Sequence, residues 1–344
     1  MTDLKLLERL CNARGVSGWE DAIREIILEE IKGNAEECRV DAMGNLLVFK
    51  KGRQRPKTKL LLSAHMDEVG LIVTGITESG FLKFETVGGI DQRVLPGRSV
   101  TIGERGLFGI IGTKPIHLLQ SEERNKTVPI DQLVIDIGAK DKKEAKSAVN
   151  LGDDICFDSI FDINNEIIKA KAIDDRAGCL VLIEMIKSEL PVDMYFSFVV
   201  QEEIGLRGAT TATYQIAPEA AIVVEATTAA DIPSNQEDKQ VCGVGRGAVL
   251  SFMDKHAIYD KKYYDLIKDV SKDIGACLQV KKAVAGGNDA GAIQVSRKGV
   301  RVAALSLPCR YLHSQLGMIS QNDLESFKRI ISESAKRIAF GEGR

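Results

Sequence analysis

The chain lacks any run approaching the ~18–20 consecutive apolar residues that a bilayer-spanning helix requires, which argues against a helical membrane protein. Its first residues, MTDLKLLERLCNARG, scatter acids and bases among the leucines and lack the uninterrupted apolar centre of a signal peptide. Export is therefore not expected, and a cytoplasmic location is. A basic surplus is also missing: 46 Lys and Arg against 49 Asp and Glu give a formal charge of −3, with no stripe of cations interleaved with aromatics. Nucleic acid is a poor partner for such a surface. The seven cysteines are odd in number and scattered, with no C-x-x-C pair. That pattern suits reduced thiols, most of them small core residues, rather than a disulfide framework. No internal repeat and no low-complexity tract is present.

What remains is a globular chain of 344 residues, 44% hydrophobic and 28% charged, long enough for one large domain or two ordinary ones. Ser17-Gly-Trp-Glu20 has the spacing of a capping box, and Ile23, Ile26, Ile27 and Ile31 follow at helical intervals. This predicts a helix over 18–32 behind a shorter one over 3–13. Leu46 to Phe49 and Leu60 to Ser63 read as strands. After Val69 the text changes to short β-like runs (LIVTGI, FLKFETV, SVTI, GLFGIIG, LVIDIG, DICF) divided by Gly, Asp and Pro, with a helix only near 142–149. Beyond Ile167 an α/β rhythm returns. Helices are expected over 177–190, 207–217, 258–274 and 322–338, the last starting at Asn322-Asp-Leu-Glu325, with strands over 195–200, 220–224 and 302–307. The economical reading is one α/β domain made of 1–68 and 167–344, interrupted by a β-rich insertion over 69–166. A separate N-terminal domain with a single buried strand could hardly bury a core.

Charge collects where the apolar strands end. Tyr195 to Val200 breaks into Gln201-Glu202-Glu203, and adjacent carboxylates there cost solvation unless something positive meets them. The carboxyl ends of strands are also where open α/β sheets bind ligands. His65-Met66-Asp67 closes another strand; alternation puts residues 65 and 67 on one side, so the carboxylate of Asp67 can take a ring N–H of His65. Asp174 and Asp175 precede a helix, Glu225 ends the run Ala220–Val224, and His313 lies just past the strand 302–307. Each has an ordinary alternative: a polar turn, an N-cap, a surface acid, a structural histidine. The set does not. Two histidines and several carboxylates, with no thiolate, suit two Zn²⁺ or Co²⁺ ions that share one bridging carboxylate, with a free glutamate as proton shuttle. His117 and His256 have no such companions.

The motifs SAHMDEVG, KAIDDRAGC, QEEIGLRGA, GGNDAGA and RYLHS, in this order, resemble those of the tetrahedral (TET) aminopeptidases, a cytosolic metallopeptidase family of glutamyl and deblocking aminopeptidases in which some relatives carry an endoglucanase label. VDAMGNLL and GGIDQRVLPGRSV extend the likeness over nearly the whole chain. The resemblance implies a three-layer α/β/α metallopeptidase domain with an inserted, small β-barrel-like dimerisation domain. It implies His65, Asp174, Glu203, Glu225 and His313 as ligands of two metal ions, with Asp174 bridging and the peptide bond after it cis. Glu202 becomes the general acid/base, acting on a metal-held water, and Asp67 the orienting partner of His65. Relatives form twelve-subunit tetrahedral shells that admit short peptides and exclude folded proteins.

Three departures stand out. Glu225 occupies a position that is usually Asp in a D-V-T context, Gln315 and Gly317 follow His313-Ser where Pro and a nearby Glu are common, and Asn288 replaces Thr in GGNDAG. None removes a donor atom, and the last two segments are expected on the substrate side. The expected activity is removal of N-terminal residues from short peptides. Alternatives are another dinuclear hydrolase (an N-acyl amino acid deacylase, a carboxypeptidase or a glycosidase) or a shell whose metal site has decayed.

Overall fold

The strand Leu60–His65 is buried at all six positions, and alternation divides its side chains between two cores. Leu60, Leu62 and Ala64 enter one apolar cluster and Leu61 the other. The same division runs through Met194–Val199 and Ala220–Thr228: Phe196, Phe198, Ile222 and Val224 face the first cluster, Val199, Ala221 and Val223 the second. A sheet apolar on both faces must be covered on both. Helices Leu4–Asn12, Asp21–Ile31, Ile173–Lys187, Lys261–Asp273 and Gln321–Ala339 supply the first cluster, and Arg207–Ile216 with Ala290–Gln294 the second. The result is the three-layer α/β/α arrangement expected from the sequence. The computed structural model describes residues 2–122, 124–233, 236 and 240–344. Among these, no helix is long and apolar enough to cross a membrane.

The central sheet runs Glu37–Val40, Leu46–Lys50, Met194–Val199, Leu60–His65, Ala220–Thr228, Arg301–Cys309, Ala248–Leu250, Leu278–Val280. Its four middle strands, from Met194–Val199 to Arg301–Cys309, are mutually parallel. Their carboxyl ends therefore point the same way, and each ends near a charged residue of the sequence analysis.

Between Leu60–His65 and the helix Ile173–Lys187 the chain builds a closed, antiparallel barrel in the order Gly70–Ile76, Leu82–Val87, Val134–Asp136, Leu107–Gly112, Ser99–Ile102, Asp154–Phe157. All six expected runs take part. The barrel has its own core of Leu71, Val73, Phe84, Ile111, Ile135 and Phe157. Closure removes the open strand edges that a short-stranded sheet would expose.

Several elements differ from expectation, for identifiable reasons. The capping box at Ser17 and Glu20 does not form: the helix starts at Asp21 without a side-chain cap. Ser17 Oγ instead donates to Asp67 Oδ2 at 2.6 Å, and Glu20 Oε1 accepts the amides of Gly18 and Gln201 at 2.7 and 3.1 Å. A fully buried carboxylate such as Asp67 requires donors more than a helix end does. The last helix is capped by Ser320, whose Oγ accepts the Asn322 amide at 3.2 Å. Glu225 does not end its strand, because parallel pairing with Arg301–Cys309 continues to Thr228. Strands Asp162–Asn164, Ile167–Ala170 and Gly317–Ser320 form a small antiparallel sheet that the sequence did not signal. All seven thiols are free, and five are buried.

Candidate metal centre

His65 is the last residue of its strand and only 1% exposed, so its ring must find polar partners inside the protein. Nδ1 lies 3.0 Å from the main-chain carbonyl oxygen of Asp67 and 3.5 Å from that residue's Oδ1. The nearer partner is thus the carbonyl rather than the carboxylate expected from H-x-D. The Asp67 carboxylate serves the neighbouring strand end instead: Oδ1 accepts the Glu202 amide at 3.0 Å and Oδ2 the Glu203 amide at 3.1 Å. With Nδ1 committed, Nε2 of His65 faces Asp174 Oδ1 at 3.2 Å and Glu225 Oε1 at 3.4 Å.

Asp174 opens the helix Ile173–Lys187 with non-helical backbone angles, and its peptide bond to Asp175 is cis. The two aspartates then do different work. Asp175 is buried, its oxygens accepting the His65 amide at 3.3 Å and the Gly178 amide at 3.0 Å. A Cβ at Gly178 would come within 2.4 Å of those oxygens, so only glycine fits there. Asp174 points the other way and splits its oxygens between the histidines, Oδ1 toward His65 and Oδ2 toward His313 Nε2 at 3.3 Å.

His313 sits in a loop beyond Arg301–Cys309 with φ of 56°, a left-handed conformation rare outside glycine. Its Nε2 lies 3.1 Å from Glu203 Oε1, and its Nδ1 lies 2.8 Å from the carbonyl oxygen of Gly89, which follows the barrel strand Leu82–Val87. The insertion thus orients one of the two imidazoles. Gln315 fastens the same loop to the barrel: Nε2 donates to the Asp158 carbonyl, and Oε1 accepts from Arg98 Nη1 at 3.2 Å. It thereby ties the His313 loop to the insertion.

Three overlapping groups have donor atoms within 4.8 Å of one another: His65, Asp174 and Glu225; Asp174, Glu203 and His313; and His65, Glu202 and Glu203. All the proposed ligands and Glu202 converge on one cage. His117 and His256 belong to none of these groups among the described residues. Burial pushes the Glu225 carboxyl up to about 8, with the Asp174 charge adding to it. Burial also raises Glu202 well above the carboxylate range, helped by the charges of Glu225, Asp289 and Glu203. His313 moves the opposite way to most buried imidazoles: burial opposes its charge, yet Asp174 and Glu203 raise it to about 11. The donors therefore crowd negative charge into a dry space and favour any cation placed there. Oxygen and imidazole donors in two sets sharing one carboxylate fit a pair of divalent ions.

The family profile described as M42 glutamyl aminopeptidase matches residues 44–330. The chain belongs to that family. Among M42 relatives, the lysyl aminopeptidase of Pyrococcus furiosus is 31% identical over 95% of this chain and 94% of its own length. The TET aminopeptidase of a marine-sediment Thaumarchaeota archaeon superposes with a TM-score of 0.94 at 35% identity, covering 99% of this chain and 97% of that one. The TET1 peptidase of Pyrococcus horikoshii, which can assemble into a tetrahedron or a large octahedral shell, gives a TM-score of 0.85 at 36% identity, covering 98% and 99%. Within the M42 fold, sequence reasoning missed Ser17, Glu20 and Gly89, which hold the cage from behind. Only Ser17 and Glu20 left a trace, as polar residues ahead of an apolar helix.

Proposed function

We propose that the protein is a metal-dependent aminopeptidase that removes N-terminal residues from short peptides. The observation that carries this reading is the division of Asp174, one carboxylate oxygen toward each of two histidines that have a further carboxylate of their own. His65, Asp174 and Glu225 would hold one ion, and Asp174, Glu203 and His313 the other, with zinc or cobalt the metals these donors suit. Two such ions, when bound, polarise the scissile carbonyl and make an attacking water more acidic.

The remaining work falls to the chain itself. Glu202 adjoins both His65 and Glu203, and burial makes its carboxyl hold a proton more readily than a free glutamate does, as a group that must gain and release one requires. It takes the proton of the attacking water and delivers it to the leaving amine. Asp67 keeps Glu202 and Glu203 in position through their amides. A free peptide N-terminus, positively charged, sits against the cage carboxylates. The catalytic domain comprises 1–68 and 167–344, and the insertion 69–166 pairs with a second copy. Phe108 and Ile110, 54% and 49% exposed on one barrel strand, support that pairing; the dodecamer of a TET1 relative supports assembly beyond the dimer, and a cytoplasmic location belongs to the same proposal.

Glu202→Gln separates chemistry from binding. Turnover of aminoacyl anilides is expected to fall by about 10²-fold or more, the scale of a lost general acid–base, while metal content measured by mass spectrometry stays at the wild-type level. Near-wild-type turnover would remove Glu202 from this role. A panel of anilides, N-blocked peptides, C-terminal substrates and carboxymethyl-cellulose, each with and without chelator, is expected to show metal-dependent release only from free N-termini. Release from a blocked peptide would favour a deacylase or carboxypeptidase on the same cage.

A further inference from the structure

Just past the strand Met194–Val199, four consecutive main-chain amides are each accepted by a side chain from another part of the chain. Val200 donates to Asn45 Oδ1 at 2.9 Å and Gln201 to Glu20 Oε1 at 3.1 Å. Glu202 and Glu203 donate to the two oxygens of Asp67 at 3.0 and 3.1 Å. Within this run Gln201 has φ of 56°, which a residue with a side chain keeps only where its surroundings impose it. The peptide plane entering the kink is gripped at both ends. Its carbonyl, from Val200, accepts the Gly208 amide at 3.0 Å, and its N–H, from Gln201, is the one that Glu20 accepts. Glu202, the proposed proton shuttle, is the next residue.

Glu20 stands at the N-cap of the helix Asp21–Ile31, yet its side chain makes no bond to that helix. Asp, Asn, Ser or Thr would cap better, so the longer carboxylate serves something else. Its Oε1 takes the amides of Gly18 and Gln201 together, on a residue only 4% exposed. Ile23, Ile27 and Ile31 anchor the helix behind it in the first core, which gives the acceptor a rigid base. Burial pushes the Glu20 carboxyl up to about 7, so the bond depends on where the oxygen lies more than on its charge. We infer that Glu20 is a positioning residue: by accepting the Gln201 amide it holds the left-handed kink that aims Glu202 into the cage. The inference rests on the aminopeptidase reading for the work of Glu202. It ties Glu20 to turnover rather than to metal binding, because Asp67 moors the amide of the ligand Glu203 by itself.

The test measures kcat and KM of Glu20→Asp, Glu20→Met and Glu20→Gln on the aminoacyl p-nitroanilide that wild type cleaves fastest, each alone and combined with Glu202→Gln. Glu20→Asp draws the oxygen back by one methylene and offers the helix a better cap. Its kcat is expected to fall about 10- to 100-fold, the scale of a catalytic group misplaced by an ångström. KM and metal content should stay near wild type, and the melting temperature should be unchanged or raised. Glu20→Met, of similar length but without an acceptor, should fall at least as far, and Glu20→Asp decides alone if that variant does not fold. Glu20→Gln keeps the oxygen and should recover most of the turnover. The reverse order, Asp above Gln, would show a need for charge and overturn the inference. Combined with Glu202→Gln, the same changes should alter turnover by less than about threefold, since the group they misplace is already disabled. Losses that multiply in full there would mark a general structural role and overturn it too. If wild type cleaves no anilide, the aminopeptidase reading fails instead, and hydrogen–deuterium exchange decides Glu20 separately. The segment 196–206 must then exchange faster in Glu20→Asp than in wild type; unchanged exchange refutes the assignment.

Discussion

The two halves of the cage are built differently. The His65 half belongs to the central sheet: His65 and Glu225 lie on adjacent parallel strands, their side chains are 1% and 8% exposed, the Asp67 carbonyl holds the imidazole and Asp175 accepts the His65 main-chain amide. The His313 half is assembled from three separate pieces, namely a loop residue in left-handed conformation, a glutamate at the end of another strand, and the Gly89 carbonyl of the insertion. His313 is 31% exposed there. The contrast teaches that one half inherits its rigidity from the sheet, whereas the other exists only when the barrel is in register with it.

The comparison can be broken most severely at its shared member. Asp174→Ala removes an oxygen from each half, so activity is expected to fall by well over ~10²-fold, beyond the range for a merely supporting residue, with metal analysis giving less than one ion per chain. Next come the histidines as a matched pair. Both His65→Ala and His313→Ala should abolish most turnover, but only His65→Ala should lower the melting temperature of the metal-free protein strongly. Each substitution strips two carboxylates of a shared partner, but His65 is 1% exposed against 31% for His313, so only its loss also empties a fully buried site that water does not readily refill, on the order of 3 kcal/mol for a broken buried pair; equal melting of the two variants would erase the asymmetry. The mildest change is Gly88→Ala. Gly88 has φ of 84°, and a Cβ there would lie 2.8 Å from Val69 Cγ1 and 3.3 Å from Glu203 Cβ, so the Gly89 carbonyl must shift. Affinity for one ion of the two is expected to drop about 10- to 100-fold, read as biphasic metal titration where wild type gives closely spaced steps.

The same asymmetry explains what the sequence could express. His65, Glu202 and Glu203 were legible because an apolar strand that stops on a polar residue is a one-dimensional signal, and the barrel was legible because six short runs each carried their own alternation. Glu225 was legible as a candidate but misplaced at a strand end, since its strand's length is set by pairing with Arg301–Cys309. Ser17 was misread as a helix cap because its partner, Asp67, lies fifty positions away. Gly89 was invisible for a deeper reason: what it contributes is a main-chain oxygen, which every residue possesses. Ala248–Leu250 and Leu278–Val280, three residues each, were too short to show a period.

The grip of Asp67 on two consecutive amides has an evolutionary corollary. Glu202, the proposed proton shuttle, and its neighbour Glu203 share one mooring, so neither can drift to suit a new substrate without dragging the other. Diversification of such an enzyme is thereby steered to the opposite wall of the cavity, where side chains can be exchanged while the cage stays where it is.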